Sequence, residues 1–171
     1  MFFSINDLQL GRVRFNETLS PGAIEFFDPQ LRQAEPLVTT GAAQLTESTA
    51  EITVSGHLST TMEVACDRCL EATRIPVDAD FKLVYRPASS EIASGEVCLD
   101  DAESQAGFYE GDGLELSDVL QEEILLLLPM QRVCREDCKG ICPVCGQNRN
   151  QVECHCQVNV DDDRWAGLRN I

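Results

Sequence analysis

Between Glu51 and Ser55 the apolar Ile52 and Val54 alternate with polar neighbours, and after Gly56 the same period returns at Met62 and Val64. A period of two sends successive side chains to opposite faces, so this stretch predicts two strands leading into Cys66. The strongest alternation follows, with Ile75, Val77, Ala79, Phe81, Leu83 and Tyr85 at every second position, opposite Pro76, Asp78, Asp80, Lys82, Val84 and Arg86. One face is buried and the other mostly wet, as in an antiparallel sheet covered on one side. Pro76 has no N–H for a ladder, which puts the start of this strand at an edge or just inside it.

The period becomes helical at Leu116, Val119, Leu120, Ile124, Leu127 and Leu128, with Leu125 and Leu126 widening the apolar stripe. Ser117 can cap the helix, Asp118, Glu122 and Glu123 suit its positive end, and Pro129 stops it. The spacing therefore predicts a helix over 117–128 that packs on the sheet. Residues 88–115 carry many carboxylates and no Lys or Arg, which predicts a solvated, mobile loop or a docking strip for a basic partner. Before Gly41, short apolar pieces and turn signals at Ser20-Pro21-Gly22 and Asp28-Pro29 define no firm element. The expected fold is α+β: a mostly antiparallel sheet packed on one main helix, followed by a small C-terminal zinc knuckle. Residues 1–130 form the α+β domain with an N-terminal arm and the acidic loop; residues 131–171 form the cysteine-rich knuckle and tail.

The chain has 171 residues and a formal charge of −16, large enough to bury a core and too acidic for broad, nonspecific binding to nucleic acid. The first residues, Met1-Phe2-Phe3-Ser4-Ile5-Asn6-Asp7, lack the basic start and apolar stretch of an export signal. The longest apolar run, 124–130, falls far short of the ~20 residues of a membrane span. A cytoplasmic protein is expected, with no membrane contact, and its nine cysteines are then reduced thiols, because cytosolic structural disulfides are rare.

Eight of those cysteines fall into close pairs: Cys66 with Cys69, Cys134 with Cys138, Cys142 with Cys145, and Cys154 with Cys156. Cys98 is left over in the acidic loop and receives no role. Zinc takes four ligands tetrahedrally, and two cysteines separated by a short turn can reach one ion. Four pairs make two Zn2+ sites. The turn Cys142-Pro143-Val144-Cys145-Gly146 is the most specific piece, and Cys154/Cys156 is its nearest downstream partner. Cys66/Cys69 with Cys134/Cys138 would then close a ~70-residue loop, at a cost that grows slowly with length. The alternative keeps one site within 134–156 and leaves Cys66 and Cys69 as free thiols. His155 can replace Cys154 or Cys156, and an all-cysteine site can also take iron. His57 has no partner pattern and reads as a strand-end surface residue.

A closed all-thiolate site has no open position for water and makes zinc a poor Lewis acid, so no enzyme is expected. Cys66-Asp67-Arg68-Cys69 nevertheless leaves open a thiol-disulfide redox protein, since Arg68 can lower a thiol pKa. A zinc-binding protein-interaction module is a further alternative.

The order of pieces resembles one known family. A strand pair enters Cys66-Asp67-Arg68-Cys69-Leu70-Glu71, a helix ends in Leu126-Leu127-Leu128-Pro129, and Cys138-Lys139-Gly140-Ile141-Cys142-Pro143-Val144-Cys145-Gly146 precedes a closing Asp163-Arg164-Trp165-Ala166-Gly167-Leu168. Together these resemble the YceD family from about Gly41 onward; the first 40 residues add little. The resemblance implies a non-enzymatic role in ribosome biogenesis, supporting accumulation of large-subunit (23S) ribosomal RNA. Implied partners are that RNA or a large-subunit precursor particle, reached directly or through a basic ribosomal protein. Arg132, Arg135, Lys139 and Arg149 in or beside the knuckle are the candidate contacts, or they offset thiolate charge. Oligomeric state is not legible.

Overall fold

The computed structural model describes residues 1–88 and 106–156. Its frame is a long hairpin in which β5 (Glu51–Ala65) and β6 (Ala72–Pro87) pair antiparallel from Ile52↔Tyr85 to Ala65↔Ala72. Outside β5 lie β4 (Leu37–Thr46) and then β2 (Val13–Leu19), both antiparallel, while β3 (Arg32–Gln33) pairs with β5 beyond the end of β4. On the other side β7 (Ala106–Tyr109) runs parallel to β6 along Val84–Pro87. A separate ribbon joins β1 (Phe2–Ser4) to β8 (Gly113–Glu115), and the described residues form two helices, α1 (Ile5–Leu10) and α2 (Leu116–Leu127). The fold is thus a mostly antiparallel sheet with one main helix, as the sequence predicts.

The alternation in β6 does what its period requires: Val77, Phe81 and Tyr85 are buried and Asp78, Asp80 and Lys82 exposed. Leu116, Val119, Leu120 and Ile124 of α2 join Ile52, Val54, Leu58 and Phe81 in one apolar cluster. Pro76 pairs only toward β5, because β7 covers just the end of β6.

Several expectations are corrected. The two strands before Cys66 are one, since Gly56 does not break β5 but faces Gly41 of β4, where a Cβ would fall 2.3 Å from the Thr40 carbonyl oxygen. His57 lies in mid-strand, not at an end, with Nδ1 3.0 Å from Asp80 Oδ1. The N-terminal residues are no loose arm: β2, β3 and β4 belong to the main sheet. Ser117 does not cap α2. The cap position is Glu115, with no side-chain bond, and the Leu116 N–H donates to the Met1 carbonyl at 2.9 Å. The β1–β8 ribbon therefore satisfies an orphan donor of the helix start. Leu125 and Leu126 are exposed instead of widening the stripe, because Leu126 sits about 200° around the helix from Ile124; Glu123 is buried in their stead. Of the expected acidic loop, residues 106–115 hold β7 and β8; residues 89–105, with Cys98, lie outside the described residues.

Candidate metal centres

The turn of the β5–β6 hairpin is the segment Cys66–Glu71. In it the Leu70 N–H donates to the Cys66 carbonyl at 2.9 Å and the Cys66 N–H to the Glu71 carbonyl at 2.9 Å. The same turn is built again at Cys142, where the Gly146 N–H donates to the Cys142 carbonyl and the Cys142 N–H to the Gln147 carbonyl, both at 2.8 Å. Each turn needs a left-handed residue after its second cysteine: Leu70 at φ 63° in the first and Gly146 at φ 72° in the second. Glycine adopts this region freely and leucine at a cost.

Each turn meets two more cysteines. Cys66 Sγ lies 3.9 Å from Cys138 Sγ, and Cys69 Sγ lies 3.7 Å from Cys134 Sγ. Within Cys66/Cys69/Cys134/Cys138, and again within Cys142/Cys145/Cys154/Cys156, all four sulfurs lie within 4.8 Å of one another. Four sulfurs at ~2.3 Å from a tetrahedral zinc stand about 3.8 Å apart, so both donor sets fit such an ion. Both groups can each hold a metal ion. His155 is in neither group; it is exposed beside the second.

The surrounding donors are arranged for thiolates. Burial pushes the Cys66 thiol up, but the backbone N–H groups of Cys134, Cys69 and Arg68 outweigh it and bring it down to about 6. The N–H groups of Cys145 and Val144 hold Cys142 at about 6 in the same way. The last thiols resist. Burial, then the neighbouring sulfurs, raise Cys134 to about 12, and the hydrogen bond with Cys145, then burial, raises Cys156 to about 12. Four thiolates packed together repel, so each site needs a cation to complete its ionisation.

Residues 132–151 are laced onto the hairpin tip by bonds that no periodicity announces. Arg132 N–H donates to Asp67 Oδ2 at 2.7 Å, and Ile141 N–H to the Arg68 carbonyl at 2.8 Å. Glu71 Oε1 accepts from Asn148 Nδ2 at 3.1 Å and Gln151 Nε2 at 2.9 Å. Asn150 is one of the residues that sequence reasoning missed. It stands in the loop between the ligand pairs of the second group, yet its Nδ2 donates to Cys138 Sγ of the first at 3.3 Å. Its Oδ1 accepts from Lys139 N–H at 2.9 Å and Arg135 Nη2 at 3.0 Å. Its one sequence signal is the polar run Asn148-Arg149-Asn150-Gln151 between ligand pairs.

The four candidate contact cations separate. Arg132 pairs with Asp28 at 3.1 Å and Arg135 with Asp137 at 3.2 Å. Lys139 and Arg149 form no ion pair among the described residues and line, with His155 and Glu153, an open cleft of about 220 Å³ beside the second group. Cys66 and Cys69 are buried, at 0% and 4% exposure, which counts against thiol-disulfide exchange, a reaction that needs an accessible sulfur. Among the described residues no helix is long and apolar enough to cross a membrane.

Residues 54–171 match the family model described as "Large ribosomal RNA subunit accumulation protein YceD". An uncharacterized protein of Mycobacterium tuberculosis and one of Mycobacterium bovis are each 29% identical over 123 residues, 71% of this chain and 56% of theirs. The chain thus spans 56% of the length of these relatives. The uncharacterized protein YlbN of Bacillus subtilis is 22% identical over 172 residues, 99% of this chain and 93% of its own. No solved structure matches significantly.

Proposed function

The chain belongs to the YceD family of large ribosomal RNA subunit accumulation proteins, and on that premise we propose that it is a non-enzymatic ribosome biogenesis factor. It supports synthesis, processing or accumulation of 23S ribosomal RNA as a zinc-stabilised adaptor on large-subunit precursor particles. The observation that carries this reading is the pair of four-cysteine groups. All-sulfur sets offer a metal four ligands and no vacancy for substrate, so their chemistry is structural. The eight ligands are Cys66, Cys69, Cys134 and Cys138 for one Zn2+, and Cys142, Cys145, Cys154 and Cys156 for the other.

RNA contact is local. At a formal charge of −16 the surface as a whole repels phosphate, so contact falls to the two of the four candidate cations with no ion pair among the described residues, Lys139 and Arg149, at the cleft beside the second group. Arg132 and Arg135 instead hold the module together.

The test is co-sedimentation of the purified, zinc-loaded protein with large-subunit precursor particles in moderate salt. The wild type is expected in the particle fractions. Lys139→Ala with Arg149→Ala should weaken binding and reduce the salt slope by about two. Wild-type protein that binds neither the particles nor basic ribosomal proteins refutes the adaptor.

A further inference from the structure

A second cleft, of about 390 Å³, opens where β7 and β8 meet the first half of α2. Aromatic rings line it. Phe2 and Phe108 are about half exposed there, and Tyr85 forms part of the same lining. A glycine makes room for one of these rings: a Cβ on Gly107 would fall 2.7 Å from Tyr85 Cδ1. Glu110, Asp118 and Glu122 line the cleft too, and among the described residues no Lys or Arg does. Glu115, also in the lining, has a partial counter-charge in the Met1 amino group at 3.7 Å.

Aromatic faces interleaved with carboxylates select for one kind of side chain. A phosphate is repelled, and a purely apolar group would strip water from carboxylates without replacing its hydrogen bonds. A guanidinium satisfies both surfaces, because it stacks on a ring face and donates in a fork to a carboxylate. The negative field is visible in Tyr85 itself. Burial first, then the hydrogen bond to Glu122 at 2.6 Å, then the charges of Glu122, Glu123 and Asp118, push its phenol up. The net charge of −16 draws a basic partner to the surface before any such contact forms.

We propose that this aromatic and acidic cleft is the docking site for an arginine-bearing segment of a basic protein partner. The cleft lies along the first half of α2, and the segment that carries Cys134 to Cys156 follows the end of that helix in the chain. This cleft takes a basic protein while the cleft at Lys139 and Arg149 takes RNA, and assigning that protein to the precursor particle rests on the adaptor reading.

The probe is a capped peptide carrying two arginines spaced by glycines, titrated into the full-length, zinc-loaded protein at roughly 0.15 M salt to screen distant charges. Phe108→Ala with Asp118→Asn should weaken binding about tenfold or more, and Asp118→Asn alone about threefold. The lysine version of the peptide should bind more weakly than the arginine version. Glu17→Gln on β2, at the opposite edge of the sheet, removes a charge without touching the cleft and should leave affinity unchanged. Absence of peptide binding overturns the proposal, as does an equal loss in Glu17→Gln. Wild-type protein that binds the peptide in this pattern but does not sediment with precursor particles supports the cleft and refutes the adaptor. Protein that sediments but ignores the peptide refutes the cleft alone.

Discussion

The two cysteine groups start from the same turn and end in different surroundings. The first group spans the chain, since Cys66 and Cys138 are 72 residues apart in sequence and their sulfurs 3.9 Å apart in space. It is capped by a β-hairpin, and three of its four cysteines are buried. The second closes within residues 142–156 and leaves Cys145 and Cys156 exposed. Bringing Cys69 to Cys134 closes a loop roughly seven times longer than bringing Cys145 to Cys154, which costs about 1.7 kcal/mol more entropy. The sheet offsets that cost by holding the hairpin tip in place. One group therefore reports on the whole fold and the other on a local turn.

The largest effect expected from this contrast comes from breaking each group in turn. Cys69→Ser should remove one zinc and destabilise the domain by more than about 3 kcal/mol, because a structural site's binding energy is folding energy. Cys145→Ser should also cost one zinc, but urea unfolding of the sheet should shift by no more than about 1 kcal/mol. Equal destabilisation by the two variants would remove the distinction.

A smaller effect tests whether the groups are coupled. Asn150→Ala leaves all eight cysteines in place but takes the N–H donor from Cys138 Sγ. Competition with a chromogenic chelator should show zinc held about 10 to 100 times more weakly at the first group, the usual result of removing a hydrogen bond behind a ligand. Unchanged affinity there would mean that the loop merely covers the site.

The turns can be compared directly. A Cβ on Gly146 would meet nothing within 4 Å, so the cost of Gly146→Ala is backbone strain alone, about 1 kcal/mol by thermal unfolding. Leu70→Gly should change stability less, because relief of strain at φ 63° is offset by the greater freedom of glycine in the unfolded chain.

The smallest effect lies outside both groups. Burial, then the charge of Glu122, raise the Glu123 carboxyl above its ordinary value. A raised carboxyl binds its proton more tightly in the folded state, so wild-type stability falls as pH rises from the unfolded to the folded pKa. Glu123→Gln removes that penalty, and its unfolding midpoint should exceed the wild type's at pH 7 and converge with it in acid.

What the sequence revealed follows from which interactions leave a periodic trace. Val77, Phe81 and Tyr85 sit on a sheet with one wet face, so β6 was legible, and eight cysteines in tight pairs were legible because coordination needs short turns. β4 was not. Its buried positions are Leu37, Thr39, Ala42 and Ala43, and after Leu37 these are small or polar groups packed where chains approach closely, with no apolar alternation to read. The start of α2 was misread because its first N–H is satisfied by Met1, remote in sequence. Asp67, Glu71 and Asn150 were invisible for the same reason, since each acts through hydrogen bonds to partners more than ten residues away in the chain. The split between paired Arg132 and Arg135 and open Lys139 and Arg149 likewise depends on neighbours that only the fold supplies.

The most direct test is the native mass of the full chain purified under reducing conditions without chelator. Two bound zinc ions per chain are predicted, with the displaced cysteine protons missing from the mass. A mass equal to that of the bare, fully protonated chain would contradict the account.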